Sequence, residues 1–150
     1  MLRLSVKYLK KEKYFMNDPK IELVKSWMTK AKHDLETAKI VSESEKHLLD
    51  TAIYHCQQAA EKTIKGFLTF HDIRFEKTHD IVSLLTLALK KNEGLSHFLD
   101  RGSYLTPYAT EFRYPGDEAM PSKEEFDEAL KAAQEIYQYV SSLLPKNSYS

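Results

Sequence analysis

The segment from Tyr54 to Phe70 constrains the fold of this chain more than any other stretch. At 100° per residue, small and apolar side chains gather on one broad arc of a helix, and polar side chains gather on the opposite arc. The apolar arc comprises Ala52, Ile53, Cys56, Ala59, Ala60, Thr63, Ile64 and Phe67. Because small residues let neighbouring helices approach closely, the pattern predicts a helix at the centre of a helical bundle.

The polar arc of this helix carries Thr51, His55, Gln58, Lys62 and Lys65, and the only carboxylate of the segment, Glu61, lies at its edge. His55, Gln58 and Lys62 have no acidic or nucleophilic companion at helical spacing. We therefore interpret the polar arc as a solvated or dimer-facing surface.

Capping signals and helical periodicity predict further helices on both sides of the central one. The expected helices cover residues 19–42, 48–71, 79–91, 95–105 and 122–144, with Asp18, Thr78 and Ser122 as N-caps and Ser122 with Glu125 forming a capping box. Pro107 predicts a kink or a fresh short helix through Arg113. The third helix is apolar almost all round and is expected to be the most buried. The prediction is an all-α fold, an up-and-down antiparallel bundle of about five helices.

The chain of 150 residues is a normal size for one domain. Residues 1–19 form a basic N-terminal extension, which is either an arm for a partner or nucleic acid or a frayed leader, and we favour the leader. Residues 20–145 form the bundle, and residues 146–150 form a tail.

Charge and hydropathy exclude several classes of protein. The 22 basic residues balance 22 acidic ones, so no global field attracts nucleic acid or an anionic membrane, and any anion site must be local. No apolar run approaches the roughly 20 residues that span a bilayer, and the lone Cys56 excludes an internal disulfide. A cytoplasmic protein without membrane contact is expected.

The six histidines are scattered singly, without the spacing that places metal ligands on one helix face, so neither a metal site nor a cofactor is predicted. A metal-dependent phosphohydrolase is the alternative. The ligand order of its helical members is loosely followed by His55, the pair His79 and Asp80, and a later Asp100 or Asp117. His79 and Asp80 are equally well explained as the first turn of a helix.

Two arginines suggest a phosphate site. Arg74 precedes His79 by five residues, and an arginine that holds a phosphate with a histidine that moves a proton is a minimal pair for metal-independent RNA cleavage. Arg113, with Tyr108 and Tyr114, is suited to a phosphate and a stacked base. The alternatives are a solvated loop arginine with a packed histidine, and an Arg113 that pairs with Glu111 or Asp117 to hold its loop.

The segments YHCQQAAEKTIKGFL and KTHDI, followed by Tyr108, the triplet Arg113–Tyr114–Pro115 and a long closing helix, together resemble the HEPN domain family. The resemblance extends from about Lys25 to Leu144. It implies an all-α up-and-down bundle, frequent homodimers, and genes beside a minimal nucleotidyltransferase.

Many members of this family resemble one another in a ribonuclease motif, an arginine followed after four to six residues by a histidine, which two protomers bring together. Here no histidine follows Arg113 at that spacing, and the match of Arg74 with His79 lies before the third helix, where the motif is not expected. The resemblance therefore favours the members of the family that are not ribonucleases.

We accordingly expect a homodimeric nucleotide-binding or nucleotidyltransferase-associated module, including as one half of a toxin–antitoxin pair. The expected contacts to nucleotide or RNA are Lys77, His79, Asp80, Tyr108, Arg113 and Tyr114. The alternatives are a metal-independent endoribonuclease that uses Arg74 or Arg113 with His79, and a pure protein-interaction scaffold. A shared pocket requires Arg113 and the His79 helix start to lie close together.

Overall fold

Five α-helices build the part of the chain that the computed structural model describes, residues 18–116 and 119–149, and this part contains no strand. The helices are α1 (Pro19–Glu43), α2 (Leu49–Phe70), α3 (Ile81–Ala88), α4 (Leu99–Leu105) and α5 (Lys123–Leu143), with 3₁₀ turns at Glu93–Phe98, Thr106–Ala109 and Lys146–Ser148. The predicted all-α bundle is confirmed. Residues 1–17 of the predicted N-terminal extension lie outside the described residues.

Helix α2 lies at the centre, as its pattern predicts, and it packs against α1, α3 and α5. Alanines at facing positions of α1 and α2, among them Ala31, Ala38, Ala59 and Ala60, are fully buried and let the two helix backbones approach closely. Fourteen of the 22 residues of α2 are buried. This helix is therefore enclosed over most of its circumference, and its polar side chains need partners inside the protein.

Helix α3 is shorter and less buried than the sequence predicts. Four of its eight residues are buried, and they lie on the face that packs on α2 and α4, so the expectation that α3 is the most buried helix was wrong. The predicted N-cap, Thr78, was also wrong. Asp80 is the N-cap, because its carboxylate accepts from the backbone N–H groups of Val82 and Ser83. The Oγ1 of Thr78 instead accepts from the N–H of Asp80.

The end of α4 is fastened to the start of α3 by Thr106. Its hydroxyl accepts from the backbone N–H of Ile81 at 3.1 Å and donates to the carbonyl of Gly102 at 2.7 Å. Pro107 interrupts the helix at this point, as predicted, and is the second residue of the 3₁₀ turn Thr106–Ala109. This turn lies against α2 and leads the chain directly to Arg113.

Helix α5 begins as the sequence predicts. The Ser122 hydroxyl accepts from the N–H of Glu125, and the Glu125 carboxylate accepts from the N–H of Ser122, which completes the capping box. In the described residues, no helix has an apolar stretch long enough to cross a bilayer.

Two isoleucines test whether α2 is the centre of the core. Ile64 is fully buried, and Ile40, on the outer face of α1, is 70% exposed. Ile64→Ala is expected to lower the free energy of unfolding by ~2–5 kcal/mol, because it removes buried methylene groups and leaves a cavity. Ile40→Ala is the matched control and should change it by less than ~0.5 kcal/mol. Urea denaturation measures both, and equal losses would contradict the central position of α2.

Candidate functional site

Helix α1 contributes a buried carboxylate, Asp34, to the polar side of α2. One oxygen of Asp34 lies 2.8 Å from Nδ1 of His55, and the other accepts from Nζ of Lys62 at 2.6 Å. Burial alone would raise the pKa of Asp34, but the hydrogen bonds from His55 and Lys62 outweigh it and hold this pKa below its ordinary value. Asp34 is therefore ionised at neutral pH.

An ionised Asp34 fixes the proton arrangement of His55. A carboxylate accepts hydrogen bonds and cannot donate them, so Nδ1 of His55 must carry the proton in this contact. In the neutral imidazole, Nε2 is then the nitrogen that can accept a proton. The side chain of His55 is 24% exposed, so the ring is partly accessible from outside the protein.

A second polar cluster lies two turns further along α2, around Glu61. This carboxylate is 4% exposed and accepts from Nζ of Lys65 at 3.0 Å, from Nε2 of Gln57 at 3.2 Å, and from Nδ1 of His79 at 2.7 Å. Gln57 also donates to the backbone carbonyl of His79. The cluster thereby fastens the segment before α3 onto the central helix.

The ammonium group of Lys65 lies between Glu61 and two aromatic rings. It is 5.7 Å from the ring centroid of Trp27 and 5.9 Å from that of Phe75, which meet edge to face. A buried cation loses its hydration, and a paired carboxylate and aromatic faces offset that cost. The paired, enclosed position of Lys65 indicates a structural role.

These two clusters correct the interpretation of the polar arc as a solvated surface. Gln58 and Lys65 are buried, and His55 and Lys62 are half-buried and bonded to Asp34. Acidic companions do exist, but they come from α1 and from within the enclosed face of α2.

The predicted arginine, Arg113, lies beside the other end of α2. Its guanidinium stands over the ring of Tyr54 at 4.2 Å, lies 5.7 Å from the ring of Tyr114, and donates to the carbonyl of Ala109 at 2.8 Å. The preceding residue, Phe112, has a left-handed backbone with φ 66°, which costs a bulky residue ~1–3 kcal/mol. Its ring stacks on Tyr108, and this contact holds the turn that aims Arg113 at α2.

Arg113 and His55 line the same cleft, which has a volume of about 310 Å³. Its lining residues are Asp50, Thr51, Tyr54, His55, Phe112 and Arg113. We call it the Arg113 cleft. It combines a guanidinium, an imidazole and aromatic rings with one carboxylate, Asp50, whose charge opposes that of Arg113.

Two predicted contact residues have structural roles in this fold. Tyr108 is 7% exposed and donates to the Glu125 carboxylate, and burial raises its pKa above the ordinary value. Asp80 caps α3. Neither presents the open ring or oxygen that a nucleotide contact needs, whereas Tyr114 is 58% exposed beside Arg113.

The predicted residues near α3 lie apart from Arg113. Arg74 and Lys77 are exposed, and Arg74 lines a separate cleft with Phe75 and Leu87. Arg113 meets α2 at Tyr54 and His79 meets it at Glu61, seven residues and about 10 Å further along the helix axis. The expected nucleotide contacts therefore divide between two regions of one helix face.

The described residues contain no group of three His, Cys, Asp or Glu side chains that could hold a metal ion. The alternative ligand set gains no support, because Nδ1 of His55 and of His79 each contact a carboxylate and Asp80 is a helix cap. Asp117 lies outside the described residues.

Sequence reasoning missed the partnership of His55 with Asp34 and Arg113. The available signal was Asp34 itself, which lies next to the apolar stripe of α1 formed by Val24, Met28, Ala31, Leu35 and Ala38. A carboxylate at such a position requires a buried partner, and a histidine or lysine on the neighbouring helix is the usual solution.

Comparison with known proteins gives a consistent result. The model of the HEPN domain family matches residues 24–143. The chain is 29% identical over 143 residues to "Putative toxin MJ1304" of Methanocaldococcus jannaschii, and the match covers 83% of this chain and 90% of that protein.

Two solved structures are similar to this chain. ST0689, described as an archaeal HEPN homologue, is 28% identical with a TM-score of 0.62, and the match covers 80% of this chain and 96% of that one. TT1696 from Thermus thermophilus is 24% identical with a TM-score of 0.72, over 82% and 99% of the two chains, and supports the fold alone.

The Glu61 cluster can be tested against a matched exposed pair. Glu61 with Lys65 and Asp127 with Lys123 are both pairs four residues apart on a helix, but the side chains are 5% and 8% exposed in the first pair and 55% and 66% in the second. Glu61→Ala leaves a buried ammonium without its carboxylate and is expected to cost ~3–5 kcal/mol of the unfolding free energy. Asp127→Ala should cost less than ~1 kcal/mol in the same denaturation experiment. Similar costs would show that the Glu61 cluster does not fasten the fold.

Proposed function

Because the chain belongs to the HEPN domain family, we propose that it is a nucleotide-binding module that takes the phosphate of a nucleotide or of RNA in the Arg113 cleft. We further propose that it acts with a protein partner as one half of a toxin–antitoxin pair. The toxin name of the relative from Methanocaldococcus jannaschii supports this second part.

The placement of Arg113 over Tyr54 is the observation that carries the binding proposal. A guanidinium presents five N–H donors in a plane and matches phosphate oxygens in pairs. One of these donors is bonded to the Ala109 carbonyl, and the Tyr54 ring packs against the guanidinium at 4.2 Å. Arg113 is exposed, so its remaining donors are accessible to a ligand.

The aromatic residues give the cleft a place for a base. Tyr54 and Phe112 line it, and Tyr114 is exposed beside it. Every base has a face that stacks on aromatic rings, and each such contact contributes ~1–3 kcal/mol. A cation flanked by aromatic rings therefore suits an unpaired nucleotide better than an inorganic anion.

Substitution of Arg113 tests the site directly. Arg113→Ala is expected to weaken binding of a fluorescent adenosine nucleotide or a short single-stranded RNA by about tenfold or more, because a charge-assisted hydrogen bond contributes ~1.5–3 kcal/mol. The affinity of Arg113→Lys should lie between those of the wild-type protein and Arg113→Ala, since lysine keeps the charge and loses the planar donor pair. Asp50→Asn should tighten binding, because it removes the carboxylate that opposes the phosphate. Fluorescence anisotropy measures all four proteins.

The matched control is Arg101→Ala. Arg101 is also a partly exposed arginine beside an aromatic ring, Phe98, but it pairs with Glu135 in the groove between α4 and α5. This variant should bind as the unchanged protein does. If wild-type protein shows no saturable binding, or if Arg101→Ala weakens it as much as Arg113→Ala, the Arg113 cleft is not the site, and a scaffold without ligand becomes the better account.

The assembly we propose is a homodimer that also binds the nucleotidyltransferase of an adjacent gene. Two exposed apolar side chains support a protein contact beside the cleft. Leu48, which directly precedes α2, is 42% exposed, and Tyr114, which directly follows Arg113, is 58% exposed.

Light scattering of the purified protein should give twice the chain mass of 17.4 kDa, and co-expression with the neighbouring gene product should give a complex that survives gel filtration. Leu48→Asp should disrupt at least one of these assemblies, while Ile40→Asp, on the outer face of α1, should leave both intact. A monomer that ignores the neighbouring protein would contradict the proposal.

A further inference from the structure

We propose that the segment before α3 is the docking surface for the protein partner, and that it takes an acidic stretch of that partner which carries a large apolar side chain. The surface consists of residues 74–77 and of a cleft beside them with a volume of about 390 Å³, which we call the Arg74 cleft. Phe75, Leu84 and Leu87 line this cleft together with Arg74. The inference rests on the proposed function, because it names the surface that the proposed partner would occupy.

The first support is the free backbone of residues 74–77. These four residues have no regular secondary structure, and their N–H and C=O groups form no hydrogen bond with any residue that the structure describes. Three of the four, Arg74, Glu76 and Lys77, are exposed. Such backbone groups are available to pair with those of an incoming extended chain, which is a common way for proteins to recognise a peptide segment.

The second support is that this free backbone is held in place at both ends. On one side, the N–H of Ile73 donates to the carbonyl of Leu68 at 2.9 Å. On the other side, the Glu61 cluster holds His79 by its ring and by its backbone carbonyl. Between these anchors, the ring of Phe75 packs edge to face against Trp27. A segment that is already ordered loses less conformational entropy when it binds a partner.

The third support is the charge that the segment presents. Arg74 and Lys77 are exposed cations without an ion pair, hydrogen bond or ring contact to any residue in the described part of the chain. A guanidinium in this state can bind a carboxylate through two parallel hydrogen bonds. The segment carries two cations and one carboxylate, Glu76, so its charge favours an acidic partner segment.

The walls of the Arg74 cleft favour a protein over a nucleic acid. Leu84 is fully buried and Leu87 is partly buried, and Phe75 supplies the one aromatic ring among the lining residues. Aliphatic walls suit an aliphatic side chain, whereas an unpaired base is recognised by stacking on aromatic rings or guanidinium planes. The carboxylate of Glu76 also lines the cleft and repels a phosphate. A leucine-sized side chain therefore suits the cleft, with an acidic neighbour that pairs with Arg74.

This assignment gives two protein contacts different residues. Leu48 and Tyr114 lie beside the Arg113 cleft, and their surface is left to the second copy of this chain. The Arg74 cleft belongs to α3 and to the segment before it. Substitutions in the Arg74 cleft should therefore leave the mass of the isolated protein in light scattering unchanged.

Isothermal titration calorimetry of the full-length chain with the purified product of the adjacent nucleotidyltransferase gene tests the proposal. Arg74→Glu should raise Kd about tenfold or more, because the reversed charge repels an acidic segment. Leu87→Gln should raise Kd about tenfold, since its amide loses water without gaining a partner in the cleft. Lys131→Glu is the matched control and should leave Kd unchanged. Lys131 is also an exposed cation without a partner among the described residues, but it lies in the groove between α4 and α5.

The same variants separate docking from folding and from RNA binding. Because Arg74 is exposed, Arg74→Glu should keep the wild-type circular dichroism spectrum, and it decides the question if Leu87→Gln unfolds. Its affinity for a short single-stranded RNA should equal that of the wild-type protein. A loss of RNA affinity as large as that of Arg113→Ala would show that this surface holds nucleic acid and would overturn the proposal.

A photo-crosslinker identifies the partner segment. With p-benzoylphenylalanine in place of Lys77, the crosslinked stretch of the partner should contain an aspartate or glutamate next to a large apolar residue. Changing that acidic residue to lysine should weaken binding to the wild-type chain and restore binding to Arg74→Glu. A crosslinked stretch without an acidic residue, or a charge exchange that restores nothing, would overturn the proposal.

Failure of this inference can be told from failure of the proposed function. A complex whose Kd changes neither in Arg74→Glu nor in Leu87→Gln overturns docking at the Arg74 cleft and leaves the proposed partnership intact. If no complex forms, the partnership and this inference fail together. Nucleotide binding in the Arg113 cleft is judged separately, by Arg113→Ala.

Discussion

The packing of α1 on α2 and the geometry of the Arg113 cleft share one ionic contact, the carboxylate of Asp34 between His55 and Lys62. Burial alone would raise the pKa of Asp34, and the hydrogen bonds from His55 and Lys62 hold it below its ordinary value. A charge in such a place is tolerated only when both oxygens are bonded. The same contact fixes the ring of His55 at the edge of the Arg113 cleft, so the packing of the bundle and the geometry of the candidate site have a common origin.

Helix α2 divides its polar side chains between two tasks along one face. Around Glu61 the polar groups are enclosed and bonded to one another, and they fasten the segment before α3. Around Tyr54 and His55, two turns earlier, the polar and aromatic groups border an open cleft. The strained backbone of Phe112 belongs to the second region, where it turns Arg113 onto the Tyr54 ring. Strained backbone residues are found mainly at functional sites, so the strain at Phe112 supports a ligand site in this second region.

The parts of the fold that local chemistry determines could be predicted from the sequence. Two helix starts are specified by short local signals, Asp18 before Pro19 and the capping box of Ser122 with Glu125. The apolar arc of α2 specifies the central position of that helix. The HEPN resemblance, found from short motifs, is confirmed by the match over residues 24–143. The bonds from Asp34 to His55 and from Glu61 to His79 join residues 21 and 18 positions apart, and helical periodicity carries no information about such pairs. Nor does the sequence show that Phe112 adopts a left-handed backbone, since a bulky residue rarely does so.

We propose that a ligand binds in the Arg113 cleft and that the rest of the bundle holds this cleft in place. Titration of ¹⁵N-labelled protein with a short single-stranded RNA, followed by NMR chemical shifts, locates the ligand on the protein. If RNA binds in the Arg113 cleft, saturable shifts should be concentrated in the amides of residues 50–55 and 112–114 and in the ring nitrogens of His55. Shifts concentrated instead at Arg74, Lys77 and His79, or in the groove between α4 and α5, would contradict it.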